Sequence, residues 1–522
     1  MKTRKMFSIL LTLAMALGLL AFLPVTARAA DDISADFTDP NFRAAVYEKI
    51  GKTAPEPILS TDVAGISYLS INQLNIQSLA GLEHFTGLKT FYCLYNQIAQ
   101  LPALPAGLGI LACGGNNLTQ LPALPAGLES LYCDGNKLTQ LPALPAGLES
   151  LYCSDNELTQ LPALPDSLIT LSCQGNKLTQ LPALPSGLEN LWCNGNKLTQ
   201  LPVLPDSLIS LSCSENKGIS LPALLPRLEV LSCDGCELTS LPALPDSLTS
   251  LSCSENNGIS LPALLPSGLK VLSCGHNNLT SLPALPDGLE NFWCNNNNLT
   301  QLPALPGSLT YLYCVDNKLT QLPALPAGLE GLSCDGNKLT QLPALPDSLA
   351  RLHCTSNSLT QLPALPPALT SLQCSFNQLN GLPELPAGLE EIWCSDNPLK
   401  QLPALPPALT KLICEFNQLK ELPKLPASLK LLYCGSNQLT TLDLTGLALE
   451  ELRCDRNFLP DKSAVIGFTG EWEDDDITGP LKFFFGYQNK PKGIFGTNFK
   501  WYGAWWHYVL FFLCFGFIWM WL

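Results

Sequence analysis

The chain has 522 residues, of which 14% are charged, and a formal net charge of −15. Loss of an N-terminal export segment carrying Lys2, Arg4, Lys5 and Arg28 takes this to about −19. Such an acidic chain without a basic stripe excludes a nucleic-acid partner, because neutralising phosphates supplies most of that affinity.

Residues 1–30 have the order of a secretory signal. Lys2, Arg4 and Lys5 are followed by an apolar run from Phe7 to Leu23 and a small-residue cleavage site at Ala27-Arg28-Ala29. Residues 31–65 are expected to cap a repeat array. Asp39 stands where a helix N-cap belongs, Pro40 takes the first helical position, and Phe42, Val46 and Ile50 share one face. Residues 66–84 form a divergent first repeat, with Leu69, Ile71, Leu74 and Ile76 but no cysteine.

A cysteine then falls at 93 and every twenty residues to 253, slips one place to 274, and recurs every twenty to 454. A fixed period near twenty signals a solenoid, in which each repeat buries its apolar side only by stacking on its neighbours. Leu128, Leu131, Cys133, Asn136 and Leu138 spell the leucine-rich repeat. The alternation around Leu131-Tyr132-Cys133 predicts a short strand with Leu and Cys inward and Tyr outward. Successive strands pair in parallel about 4.8 Å apart and form the concave face. The other half, Leu-Pro-Ala-Leu-Pro, cannot be a regular helix, because its prolines lack donors and force the preceding residue into extended geometry. A polyproline-like convex side is expected, with Leu141, Leu144 and Leu148 facing the core.

Asn136 and its equivalents are expected to satisfy buried loop backbone, with Cys236 replacing one of them. The ladder cysteines are expected to be buried thiols. In-register parallel strands hold their Cβ atoms near 4.8 Å apart, too far for the ~3.8 Å of a bridge. Cys233 and Cys236 have zinc spacing, but the array places Cys233 in the core, so no metal is expected. Segments 213–252 and 253–293 share Leu-Ser-Cys-Ser-Glu-Asn and Leu-Pro-Ala-Leu-Leu-Pro, as a duplicated two-repeat unit would.

The repeat loses its prolines at Leu442-Asp443-Leu444-Thr445-Gly446. The array of about twenty repeats is therefore bounded at 66–457, with a C-terminal cap at 458–488 using Phe468, Trp472 and Phe483 to Phe485, and a linker at 489–500. Residues 501–522 carry no charge except on His507, and at ~1.5 Å per residue reach about 33 Å, enough to cross a bilayer. Trp501, Trp505 and Trp506 at one end and Trp519 and Trp521 at the other have the order of interfacial belts. No Lys or Arg follows the span, and a buried or interfacial helix is the alternative. The expected fold is a leucine-rich-repeat solenoid of the α/β horseshoe class, built mostly of short parallel strands and an extended convex side. A small helical N-cap and a C-terminal transmembrane helix complete it.

The outward strand position before each cysteine holds Tyr92, Tyr132, Tyr152, Trp192, Trp293, Tyr313, His353, Trp393 and Tyr433. Large aromatics on an open sheet face, flanked by Asp134, Asp155, Asn194, Asn295 and Asp316, are typical of interfaces and also suit sugar rings. The alternative is that aromatics favour strands and pack on their neighbours. Catalytic signals fail: His84, His276, His353 and His507 form no ligand spacing, and no Gly-x-Ser-x-Gly is present. Gly51-Lys52-Thr53 lacks the first glycine of a phosphate loop, and the acidic run from Glu471 to Asp476 lacks calcium-loop spacing. No enzyme activity, catalytic residue or cofactor is expected.

The pattern Leu-Pro-x-Leu-Pro-x-x-Leu-x-x-Leu-x-Cys-x-x-Asn-x-Leu over about 98–440 resembles the twenty-residue repeats of the bacterial Yop and Ipa effector class. Phe37-Thr38-Asp39-Pro40-Asn41-Phe42 and Ile76-Gln77-Ser78-Leu79-Ala80-Gly81-Leu82 are similar to the cap of internalin-like surface proteins. These resemblances imply adhesion or host-protein binding through the concave face. Some effectors add a ubiquitin-ligase domain with a catalytic cysteine. The stretch after Cys454 is too short for one, and the signal peptide departs from the effectors' export route. The expectation is an exported, membrane-anchored binding protein facing the outside, with an extracellular protein or glycan as partner. A structural spacer or stalk of the cell surface is the rival.

Overall fold

The computed structural model describes residues 31–472 and 483–489. The expected signal segment, most of the linker and the expected span at 501–522 lie outside the described residues. Among the described residues no helix is long and apolar enough to cross a membrane. The chain divides into two compact units, one ending at Leu309 and one beginning at Thr310.

Unit 1 starts with helix α1, Pro40–Ile50. The Asp39 carboxylate caps it, accepting from the Asn41 and Phe42 N–H groups at 2.9 and 3.0 Å. Its other oxygen accepts from Gln77 and Ser78 at 2.8 and 3.1 Å, so one side chain both starts the helix and ties it to the first repeat. Burial works against ionisation of Asp39, yet these four donors hold its carboxyl below the usual range. Phe42 and Val46 are buried as the spacing predicts, while Ile50 is half-buried. The rings of Phe37, Phe42 and Phe85 close the end of the core, with Phe37–Phe42 centroids 5.5 Å apart in an edge contact. Gly81, at φ 98, is required there, because a Cβ would stand 2.7 Å from the Phe37 ring. A short helix α2, Ser60–Ala64, completes the cap.

Strands β1 (Tyr68–Ser70) to β12 (Asn291–Trp293) follow, each three residues long from β1 onward and parallel to the next. The register is residue for residue: Leu131 opposite Leu151, Tyr132 opposite Tyr152. The slip to Cys274 does not disturb it, since Ser250 still pairs with Val271. The extra residue is absorbed in Leu265-Pro266-Ser267-Gly268, on the proline side, where no ladder has to be kept. Leu131 and Cys133 are wholly buried and Tyr132 half-buried, as period two requires.

The proline half is extended and then turns. The second proline opens the turn, its carbonyl accepting from the leucine three residues on, as in Leu148 N–H to Pro145 at 3.1 Å. This corrects one expectation. Leu141 and Leu148 are buried, but Leu144 is only half-buried, because the chain is already leaving the core at Pro145. The only helical turn described between β1 and β12 is the 3-10 segment Leu82–His84.

The buried half-turns are held by the asparagines. Asn136 donates to the carbonyls of Cys113, Cys133 and Asp134 at 3.1 to 3.2 Å and accepts from the Leu118 N–H at 2.9 Å. The same set recurs rung by rung, so each amide satisfies backbone groups of two repeats. At Cys236 the thiol donates to the Cys213 carbonyl at 3.3 Å, and the Gly218 N–H turns to the Cys236 carbonyl at 3.0 Å. All twenty described cysteines are buried, and none is in a disulfide. Burial pushes most of their thiols up, those of Cys113, Cys173 and Cys274 to about 12, whereas its hydrogen bond with Cys213 lowers Cys236.

Unit 2 repeats the plan from β13 (Tyr311–Tyr313) through β19 (Leu431–Tyr433) to β21 (Glu451–Arg453). Where the prolines vanish, β20 (Leu442–Asp443) pairs with β22 (Val465–Ile466). Strand β23 (Phe483–Phe484) then adds a rung, with Leu452 opposite Phe483. Phe468 packs on Trp472 at 4.3 Å and on Phe483 at 5.3 Å, so the aromatics at this end form one cluster.

Candidate functional site

In each three-residue strand the first and third side chains face outward, the third being the one before the cysteine, and parallel register lines these up rung after rung. The nine residues singled out in the sequence all take this position, and each is half-buried. Unit 1 carries Tyr92, Tyr132, Tyr152, Trp192 and Trp293; unit 2 carries Tyr313, His353, Trp393 and Tyr433.

They do not form one strip. In unit 1 Tyr132 and Tyr152 stack with centroids 4.8 Å apart and planes 17° apart, and Trp192 lies 6.2 Å from Tyr152 across the small Ser172. That run is an aromatic platform. The Trp192 indole donates to the Ser210 hydroxyl at 3.3 Å, which fixes its plane. Tyr92 instead meets Tyr68 edge-on at 5.7 Å, a partner in the cysteine-free first repeat that the repeat template hides.

Between Trp192 and Trp293 the face is hydroxylic. Asp234 accepts from the Ser252 hydroxyl at 2.7 Å, from Ser232 at 3.1 Å and from the Ser254 N–H at 2.6 Å, while Ser214 hydrogen-bonds Ser232 at 2.7 Å. Nothing in the column of alternating aromatics signals this cluster. Its only trace in the sequence is the run of Ser at the position before the cysteine. Asp134, beside the tyrosine stack, accepts from the Ser154 N–H at 2.9 Å, and burial pushes its carboxyl up.

In unit 2, His353 lies beside Asp335, whose oxygens accept from the Ser333 hydroxyl at 2.8 Å and the Thr355 N–H at 2.6 Å. Burial pushes Asp335 up and His353 down, with their mutual attraction opposing both shifts. Arg351 sits over the Tyr311 ring at 5.5 Å. Further along, Arg453 lies 4.6 Å over Tyr433, whose hydroxyl donates to Glu451. Burial raises Glu415 to about 7, with Asp455 adding to the effect, and raises Asp396 to about 6. Trp393 Nε1, Asp396 Oδ2 and Arg453 Nε are buried without a hydrogen-bond partner. Gly435 leaves a hollow between carboxylates, since a Cβ there would stand 2.7 Å from Asp455 Oδ1 and 3.3 Å from Glu415 Oε1.

A second column stands two residues after each cysteine, where the chain turns left-handed. Gly115, Gly135, Gly175, Gly195 and Gly235 occupy it naturally, but Asp155, Glu215 and Glu255 hold φ of 52, 58 and 59. The glycines betray this position in the sequence; the acidic residues that share it do not.

The remaining chemical candidates go elsewhere. His84 pairs with Asp36 at 2.8 Å in the cap. Lys52 binds Asp62 and the Pro57 carbonyl, which occupies the one cation of the phosphate-loop mimic. Cys233 donates to the Ser252 carbonyl at 3.5 Å and Cys236 to that of Cys213, so the two thiols serve different carbonyls. Among the described residues no group of His, Cys, Asp or Glu side chains is arranged to hold a metal. Most of the acidic run at 471–476 lies outside the described residues.

No protein-family model matches the chain, and no curated protein does. Solved structures do. YopM from Yersinia enterocolitica WA-314 is 33% identical over 86% of this chain and 99% of that one, with a TM-score of 0.66. YopM of Yersinia pestis, a leucine-rich effector protein, is 36% identical over 65% of this chain and 87% of its own, with a TM-score of 0.46. The functional domain of InlJ from Listeria monocytogenes, which includes a cysteine ladder, is 24% identical over 71% and 77%, with a TM-score of 0.49. With twenty-residue repeats, in-register three-residue strands and an identity above 30% across nearly all of the Yersinia enterocolitica protein, the chain belongs to the bacterial leucine-rich-repeat family that includes YopM.

Proposed function

We propose that this protein is exported, stays tethered to the membrane by residues 501–522, and recognises an external protein through the strand face of its array. The leucine-rich-repeat fold suits protein binding, because it presents a long row of outward side chains on a stiff backbone. The observation that carries the reading is the Tyr132–Tyr152–Trp192 platform. Three aromatics are half-exposed on consecutive or alternate rungs, with the indole plane fixed by Ser210. Rigid aromatics of this kind dominate binding energy at interfaces. Export and tethering are supported by the Lys2-to-Ala29 signal pattern and by the uncharged, tryptophan-flanked C-terminal run.

The test is a binding screen of the chain on panels of surface proteins and glycans, beside a variant with Trp192, Trp293 and Trp393 changed to Ala. Capture of a protein, lost in the variant while circular dichroism stays unchanged, is the expected result. A glycan hit lost in the same way would replace the protein partner by a sugar. Binding indifferent to the three tryptophans, or none on either panel, would leave the array as a spacer. Protease accessibility on intact cells tests the orientation: digestion of the array from outside is expected, and protection would contradict it.

A further inference from the structure

The strand face of unit 1 has a charge pattern that the aromatic column alone does not disclose. From Thr90 to Asn295 the side chains at the first strand position, before the cysteine and after it include no Lys, Arg or His. The floor is aromatic and hydroxylic, with Asp134 and Asp234 its two ionisable carboxyls.

Both borders are acidic. Where the chain enters the strands stand Glu129, Glu149, Glu189 and Glu229, three of them exposed and Glu189 half-buried. Of the two lysines in that row, Lys270 is paired with Glu290 at 3.2 Å and Lys89 stands at the N-terminal end. Where the chain leaves the strands stand Asp155, Glu215 and Glu255, all exposed, with the exposed His276 the one basic side chain in that column up to Asn296. The lysines of these repeats, Lys137, Lys177, Lys197 and Lys217, lie beyond the ladder asparagines, off this face.

The exit border is acidic against its own backbone preference. A carboxylate residue in the left-handed region costs about 1 kcal/mol that glycine avoids. Five neighbouring rungs have the glycine, whereas Asp155, Glu215 and Glu255 do not, nor do Tyr95, His276 and Asn296 in the same column. Gly175 leaves room for one of the acids, since a Cβ there would clash with the Asp155 carboxylate.

We propose that the strand face of residues 90–295 receives a lysine- or arginine-rich segment of a protein partner. This deepens the reading above and rests on it. The aliphatic stems lie on Tyr132, Tyr152 and Trp192, and the charged heads reach the acidic borders, as long cationic side chains do on apolar surfaces. An acidic partner would meet carboxylates on both sides with no cation in the floor to receive it, which is a strong bias against it.

The experiment measures binding of the full chain to a fluorescein-labelled arginine–serine peptide and its glutamate–serine counterpart, at low and high salt. Three variants run beside the wild type. One carries Asp155→Asn, Glu215→Gln and Glu255→Gln; a second removes the same charge from the proline side with Asp166→Asn, Asp206→Asn and Asp246→Asn; the third is Trp192→Ala. The arginine peptide is expected to bind, more weakly at high salt, and to lose roughly tenfold in the first variant but less than about twofold in the second. Equal losses in the two charge variants would show diffuse attraction to an acidic chain and overturn the proposal. So would an arginine peptide that binds no tighter than the glutamate one. If a protein from the panel needs Trp192 but ignores the border acids and salt, this inference falls while strand-face recognition stands. If it ignores both, both fall.

Discussion

Replacing one ladder asparagine should cost more than any surface change, and the cost can be worked from Asn176. Its amide donates to the carbonyls of Cys153, Cys173 and Gln174 at 3.0, 3.1 and 3.0 Å, and its oxygen accepts from the Leu158 N–H at 2.9 Å. The residue is 7% exposed, so water cannot substitute freely. Asn176→Ala deprives four backbone groups of a bond. At about 1 kcal/mol for each bond, and more for each group left stranded, the loss is about 3–5 kcal/mol. A solenoid couples each repeat only to its neighbours, so the loss should be local. Urea unfolding followed by circular dichroism reads the total, and native-state hydrogen exchange reads its place, with protection falling at Leu158 and in the strands of that and adjacent rungs. The natural gap supplies a control. Cys236→Asn should gain no more than about 1 kcal/mol, because the Gly218 N–H already has the Cys236 carbonyl at 3.0 Å. A loss below about 1 kcal/mol in Asn176→Ala, or fraying spread evenly over the array, would refute the reasoning.

Unit 2 should be more stable in mild acid than in mild alkali. Glu415 is raised from 4.5 to about 7 when folded, so its contribution is complete below pH 4.5 and lost as pH rises through 7. Unfolding free energies from urea titration at the two ends of that window should differ by up to about 3 kcal/mol, and Glu415→Gln should flatten the slope; an unchanged slope would remove the buried carboxyl from the account. Asp396→Gly relieves a φ of 53 and a buried unpaired oxygen, and should raise stability at neutral pH by about 1 kcal/mol in the same assay. The ladder thiols, held up by burial, should resist an aromatic disulfide reagent at mildly alkaline pH until denaturant is added; fast labelling of native protein would contradict their packing.

The repeating half of this molecule is readable from its letters because the constraint is periodic. Leu131 and Cys133 alternate with Tyr132, Asn136 recurs at one offset, and each has the burial that its offset predicts. Asp39-Pro40 marks a helix start by local chemistry alone. What escapes is set by contacts that no offset encodes. Asp39 reaches Gln77, 38 residues on, with its second oxygen. Leu144 is lifted from the core by a turn that begins one residue later. The nine residues of the candidate site are legible as a column, yet not their grouping. Ser172 is small enough for Tyr152 and Trp192 to meet, and the serines around Asp234 are tied by bonds across rungs. The raised carboxyl of Glu415 likewise depends in part on Asp396 one rung away and Asp455 two rungs away.

The most direct test of strand-face recognition compares two single changes on opposite sides of the same repeat region. Trp192→Ala removes an anchor of the platform, while Val203→Ala alters a side chain that is 89% exposed on the proline side. With a protein partner from the panel, affinity should fall by more than tenfold in the first and stay within about twofold in the second. Equal affinities in both, or a larger loss from Val203→Ala, would place recognition away from the strands.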